Sequence, residues 1–298
     1  MRTRYRFFIP FIAGVVFAAI VGGLILGIRF LGTKNETQSN KHIIAPYYEK
    51  KVFQLPDEIK AKATASAMIN EKVKIPVIMY HYVEYVKDIN DIIRKRLDIN
   101  PALFEGHLKS LKEANYKTYF VKDIPDILDG KINYSTKSAV LTFDDGYEDF
   151  YTVAFPILKK YQMKATMYIV YDFIGRKGFM NEQEIKELLA SGLVELGSHT
   201  LDHLYLKLMP ESIARKQVIE SKKKLEERFG IEVKTFAYPY GAFSEETVRL
   251  VKEAGYTAAV SVIPGMQQSK DNILYLNRVR PGIFTPQTII RVMENYKK

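Results

Sequence analysis

SAVLTFDDG, residues 138–146, runs from six small, β-branched or apolar positions straight into two adjacent carboxylates and a glycine. A short apolar run closed by a turn signal reads as a strand buried on both faces. Gly146 lets the backbone turn sharply after Asp144 and Asp145. Segments of the same kind recur at 75–80, 117–120, 165–171, 193–197, 235–238, 257–262 and 273–279. Amphipathic helices are expected between them at 101–115, 147–162, 181–191, 211–229, 244–254 and 285–295. Asn181 and Ser244 stand where helix N-caps belong, and Gly255 where a helix stops. Alternating buried strands and helices predict an α/β protein with a parallel sheet, and about seven or eight such units suggest a barrel. Chemistry in a barrel belongs at the C-terminal strand ends, and Asp144, His199 and Tyr240 lie just past such ends.

The 298 residues suffice for one large domain and an appendage. Arg2, Arg4 and Arg6 precede an uncharged stretch, 7–28, which Arg29 closes. As a helix that stretch spans roughly 33 Å, enough to cross about 30 Å of hydrocarbon. The basic flank places residues 1–6 in the cytoplasm and everything after Arg29 outside. The competing reading is a signal peptide, cleaved and the domain secreted, but no small-x-small site follows in LGTKNETQSN. The expected organisation is a cytoplasmic tail at 1–6, a transmembrane signal-anchor at 7–28, an extracellular stalk at 29–72 and a domain at 73–298. With no cysteine there is neither a disulfide framework nor a lipobox. Of the net charge of +10, four positives sit in the anchor region, leaving +6 elsewhere. That is either a solvated lysine-rich surface or an affinity for anionic membrane and wall polymers. No nucleic-acid motif appears.

Histidine is scarce: His42, His81, His107, His199 and His203. Asp145 with His199 and His203 offers one oxygen and two nitrogens to a metal ion, leaving positions for water and substrate. His199-Thr-Leu-Asp-His203 has the spacing that lets both rings face one point on a helical turn. Asp144, beside the ion but not bound to it, is then free to take a proton from water attacking a carbonyl. A lone Asp-Asp-Gly is usually a turn, and a lone His-x3-His usually a surface helix. Their pairing at two strand ends favours a mononuclear metal hydrolase.

TFDDG (142–146), HTLDH (199–203) and FAYPYGAF (236–243) resemble the three motifs of the polysaccharide deacetylase family, the NodB-homology domain of carbohydrate esterase family 4. The resemblance covers roughly residues 73–298. It implies a distorted (β/α) barrel, one divalent ion (zinc, cobalt, nickel or iron) on Asp145, His199 and His203, and Asp144 as base. The reaction it implies is removal of acetyl groups from N-acetylglucosamine units. Two departures stand out. Ala237 occupies the position two residues before the proline where the family usually carries an arginine, and no histidine follows His203 to supply the usual acid. The segment PVIMYHYV, with His81, resembles the branch that acts on poly-β-1,6-N-acetylglucosamine, which implies His81 as general acid. Arg278, on the last expected strand, is the candidate tether for Asp144. By resemblance the Tyr240 backbone N–H is an oxyanion donor, and Tyr238, Tyr240 and Phe243 could line a sugar groove. Asp98 has no assigned role, and His107 reads as structural, in a helix with an apolar stripe of Phe104, Leu108 and Leu111.

The expected function is therefore metal-dependent de-N-acetylation of an extracellular polysaccharide, poly-β-1,6-GlcNAc in biofilm formation. Its partners would be the polysaccharide substrate, the membrane through the N-terminal helix, and exopolysaccharide synthesis machinery, with no nucleic acid. The alternatives are a peptidoglycan or chitin-type β-1,4-GlcNAc deacetylase and a non-catalytic carbohydrate-binding relative.

Overall fold

The computed structural model describes residues 72–88, 90–282 and 284–296. Twelve strands are numbered in chain order: β1 Val73–Lys74, β2 Val77–Tyr80, β3 Tyr82–Val83, β4 Asp98–Ile99, β5 Lys117–Tyr119, β6 Ser138–Phe143, β7 Ala165–Ile169, β8 Val194–Ser198, β9 Thr235–Ala237, β10 Ala258–Pro264, β11 Gln267–Gln268 and β12 Leu276–Arg278. Seven of them run β2-β6-β7-β8-β9-β10-β12, all parallel. A parallel bridge of Ile78 with Val279, backed by the bonds Met79 N–H to Val279 O (2.9 Å) and Val279 N–H to Val77 O (2.7 Å), brings the ends of the sheet together. The result is a near-closed β/α barrel. β5 pairs with the first half of β6, and β7 takes over that edge from Thr142 onward, which distorts the circle.

Every residue of β6 is buried, so its two faces serve two cores. Val140 packs inside the barrel with Val77, Tyr168, Ala258, Val260 and Leu276. Leu141 and Phe143 face outward into the helical layer with Ile78, Tyr80, Phe104, Met167 and Leu196. Each such side chain contributes about 1.5–3 kcal/mol by leaving water. Phe104, from helix Pro101–Glu113, meets Tyr80 edge-on at 5.2 Å and Phe143 at 5.6 Å. Asn100 caps that helix and Asn181 and Ser244 cap two others, each side chain accepting from a backbone N–H three residues on.

Two features depart from the expected pattern. The helix expected over 147–162 is divided into a π-helical turn, Phe150–Ala154, and an α-helix, Phe155–Tyr161. Pro156 has no N–H for the Thr152 carbonyl, so the α-helical register cannot pass unbroken through it. The short pairs β1–β11 and β3–β4 and the helices Ile92–Leu97 and Ile124–Leu128 were not expected at all. The anchor at 7–28 lies outside the described residues, as does the stalk up to residue 71. Among the described residues no helix is long and apolar enough to cross a membrane.

Inside the barrel, Gly197 makes room for the Tyr168 ring: a Cβ there would lie 2.4 Å from Tyr168 Cε1. Beside it Glu195 is buried, its carboxyl accepting from Thr166 Oγ1 at 2.7 Å and Thr235 Oγ1 at 3.1 Å. Burial raises this carboxyl from its ordinary 4.5 to about 7. The folded state therefore holds a proton that the unfolded state has lost between those values. Its stabilising contribution is complete below about 4.5 and is lost as pH rises through about 7. Glu195→Gln should flatten the fall in stability between pH 4.5 and 7, a difference of up to about 3 kcal/mol, read from urea unfolding across that window. An unchanged slope would show that Glu195 is already ionised in the folded protein.

Candidate active site

Period-two alternation brings the site together. On β2 the inward positions Val77 and Met79 lead to His81, and on β6 Val140 and Thr142 lead to Asp144. Glu195 and Gly197 on β8 lead to His199, and Leu276 on β12 leads to Arg278. All four side chains thus lie at the C-terminal mouth of the barrel.

Arg278 and Asp144 are 134 residues apart in sequence and form a buried fork: Nη1 donates to Oδ1 and Nη2 to Oδ2, both at 2.8 Å. The rest of the guanidinium is also engaged, Nε with the Ser261 carbonyl at 2.6 Å and Nη1 with Thr142 Oγ1 at 3.2 Å. Burial pushes the Asp144 carboxyl up, but the Arg278 charge and its hydrogen bonds more than offset this and hold it below the usual carboxylate range. Asp144 is therefore ionised and fixed in orientation. The arginine missing at position 237 has a geometric counterpart on a different strand.

Asp145, His199 and His203 each offer one atom, all within 4.8 Å of one another. His199 Nε2 lies 3.3 Å and His203 Nε2 3.2 Å from Asp145 Oδ1, a buried oxygen with no hydrogen-bond partner. The opposite ring nitrogens are held from behind. His199 Nδ1 lies 2.7 Å from the Ala237 carbonyl and His203 Nδ1 2.9 Å from the Tyr240 hydroxyl. A carbonyl can only accept, so His199 carries a proton on Nδ1, which leaves Nε2 as the ring nitrogen that faces Asp145 and the centre. An orphaned carboxylate oxygen and two oriented imidazoles are a donor set that fits a divalent cation.

The local backbone is strained to achieve this. Asp145 (φ 78°), Thr200 (φ 71°), His203 (φ 63°) and Tyr240 (φ 59°) are four of the six non-glycine residues with positive φ among the described residues. Gly146 follows at φ 81°, so the chain turns through two left-handed residues directly after Asp144.

His81 Nε2 stands 3.7 Å from Asp144 Oδ2. Burial lowers the imidazole to about 4, against the pull of the Asp144 and Asp145 carboxylates. The site therefore rests with His81 neutral.

Tyr240 lies beside His203, ring centroids 4.5 Å apart. Tyr238 does not line a groove. It is 1% exposed in the outer layer, and its hydroxyl donates to the Leu274 carbonyl at 2.9 Å. Alternation on β9 sends Ala237 inward and Tyr238 outward, and Phe243 is likewise buried. The sequence offered no local signal for the Tyr240 hydroxyl or the Ala237 carbonyl as supports of the histidines. Both depend on how HTLDH folds back over β9.

A sequence profile of polysaccharide deacetylases matches residues 131–259, which hold Asp144, Asp145, His199, His203 and Tyr240. The Bacillus subtilis protein YxkH, named for polysaccharide deacetylases, is 33% identical over 238 residues, covering 79% of this chain and 81% of its own. The chain belongs to the polysaccharide deacetylase family. A Staphylococcus aureus poly-β-1,6-N-acetyl-D-glucosamine N-deacetylase is 29% identical over 238 residues, with 75% of this chain and 81% of that protein covered. Among solved structures, the Streptococcus pyogenes deacetylase PplD in complex with acetate is similar with a TM-score of 0.70 and 28% identity, over 75% of this chain and 99% of that one. The deacetylase is accordingly a hydrolase. His81 and Arg278 lie outside the segment that the family profile matches.

Removing the Arg278 charge leaves burial as the dominant influence on Asp144, so its pKa rises. Arg278→Gln should therefore move the acid limb of the kcat/KM profile to higher pH and destabilise the fold by about 3–5 kcal/mol. A pH–rate profile and urea unfolding measure the two effects, and an acid limb that stays in place would separate Arg278 from the base.

Proposed function

We propose that the deacetylase removes N-acetyl groups from poly-β-1,6-linked N-acetylglucosamine outside the cell, giving the partly cationic polymer that supports biofilm formation. One observation carries this reading: Arg278 and His81 flank Asp144 in a chain with Ala237 in the third motif and no histidine after His203. The resemblance of PVIMYHYV, with His81, points to the same branch, and the Staphylococcus aureus relative bears that activity in its name.

Asp145, His199 and His203 would hold the divalent ion, which when bound supplies a Lewis acid for the amide carbonyl and acidifies water. The chain's own groups do the rest. Asp144, kept ionised by Arg278, accepts a proton from the water that attacks the carbonyl carbon. His81 Nε2, 3.7 Å from that carboxylate, receives the proton and passes it to the departing amine nitrogen as the C–N bond breaks. The Tyr240 backbone N–H serves the developing oxyanion, and the Tyr240 hydroxyl keeps the His203 ring in place. In this reading residues 7–28 anchor the enzyme, residues 29–72 form the stalk and the catalytic domain lies outside, near the machinery that makes the polymer. These last assignments rest on the sequence alone.

A soluble fragment carrying the domain should release acetate from β-1,6-linked GlcNAc oligomers, and chelator should abolish the release. Acetate from β-1,4-linked oligomers alone would move the enzyme to wall or chitin-type substrates, and none from either series would point to a binding module. His81→Ala should lower kcat by about 10²–10⁴-fold with a smaller change in KM. A wild-type rate would remove His81 from the reaction.

A further inference from the structure

His81 stands just past the point where the barrel ladder turns aside. β2 pairs with β6 as far as Tyr80 opposite Phe143, and the Asp144 N–H donates to the Tyr80 carbonyl at 3.1 Å. From there the chain leaves β6, and Tyr82 and Val83 pair instead with Asp98 and Ile99. The pairing of β2 with β6 thus stops one residue short of His81.

Two ties take over. The Tyr82 ring stacks on the Tyr147 ring, with centroids 3.8 Å apart and planes inclined by 22°. The Val83 N–H donates to Asp149 Oδ2. The two residues after His81 are thus fastened to residues two and four places after Asp145. Both sides of the stack are braced. Arg94 lies 4.4 Å over the Tyr82 ring and is paired with Glu84 at 2.5 Å. Tyr147 forms an antiparallel bridge with Phe179, their rings 5.1 Å apart, and Phe179 meets Phe173 at 4.8 Å. The Met180 N–H donates to the Gly146 carbonyl and the Glu148 N–H to the Gly178 carbonyl, both at 3.0 Å. The turn that presents Asp145 is therefore held on its own far side, and the Tyr82 ring carries that fixity across to His81.

We propose that Tyr82, through its stack on Tyr147, is a positioning residue that sets the reach of the His81 imidazole toward the departing amine. The proposal rests on the reading of His81 as the general acid. Proton delivery needs donor and acceptor within about 2.6–3.2 Å, and a misplacement of about 1 Å costs on the order of 10²-fold in rate. A stacked ring next in sequence to the imidazole removes that freedom at small entropic cost, because tyrosine has only two side-chain torsions. Asp149 acts in the same sense through the Val83 N–H. The rest of the site relies on other contacts. Arg278 holds Asp144, and the Ala237 carbonyl and the Tyr240 hydroxyl hold the two histidines.

The test is a double-mutant cycle of Tyr82→Leu and His81→Ala, read as acetate release from β-1,6-linked GlcNAc oligomers. Tyr82→Leu should lower kcat about 10–10²-fold and leave the dissociation constant for added zinc unchanged. In the His81→Ala background it should cost nothing further. Tyr82→Phe, which keeps the ring, should turn over near the wild-type rate. On 4-nitrophenyl acetate, whose phenolate leaves without a proton, Tyr82→Leu should match the wild type. Asp149→Ala removes only the second tie; it should show the same pattern in milder form and keeps the test open if Tyr82→Leu folds poorly. Losses that add in the double variant, an equal loss on the aryl ester, or weakened zinc binding would overturn the positioning role while leaving His81 as the acid. A wild-type rate in His81→Ala would refute the acid itself, and the role of Tyr82 would fall with it.

Discussion

The site depends on a buried ion pair that joins opposite parts of the chain. Arg278 closes both fork nitrogens on Asp144 at a point where both groups are almost wholly buried. A carboxylate in that position, left unpaired, would take up a proton and lose the charge that the proposed base needs. The pair also crosses the place where the barrel closes, since β12 meets β2 through the bridge of Ile78 with Val279, next in sequence to Arg278. Barrel closure and an ionised Asp144 are thus aspects of one arrangement. The adjacent carboxylates can then divide their work, one fixed by arginine and the other presenting an orphaned oxygen to two imidazoles.

The strained backbone belongs to the same arrangement. Left-handed conformations at Asp145, Thr200, His203 and Tyr240 each cost of order 1–3 kcal/mol. They persist because the surrounding barrel is packed on both faces of its strands, as the complete burial of β6 illustrates. That stability lets the mouth of the barrel hold unfavourable turns where they aim ligands.

Much of the scaffold was legible because buried strands in a parallel sheet are short apolar runs. The segment 138–143 matches β6 residue for residue, and the expected helix at 211–229 is the observed Glu211–Phe229. The two-residue strands β3 and β4 have no periodicity to detect, yet β4 lines a pocket that His81 also lines. Pro156 gave the one local signal that should have divided the helix over 147–162. Within the site, the triplet Asp145, His199 and His203 followed from residue type, but the helical turn expected over His199–His203 is not formed: Thr200 and His203 take left-handed conformations and a loop brings the rings together. The Tyr240 hydroxyl on His203 did not, because that contact crosses between two loops. Tyr238 was misplaced for want of strand phase: one residue along from Ala237 is the opposite face of the barrel.

Division of labour between neighbouring carboxylates is the central claim, and measuring bound divalent metal together with turnover in Asp144→Asn and Asp145→Asn tests it most directly. The account predicts that the Asp144 variant keeps its metal at full stoichiometry and loses turnover, while the Asp145 variant loses the metal itself. Sustained turnover in Asp144→Asn, or full metal occupancy in Asp145→Asn, would contradict it.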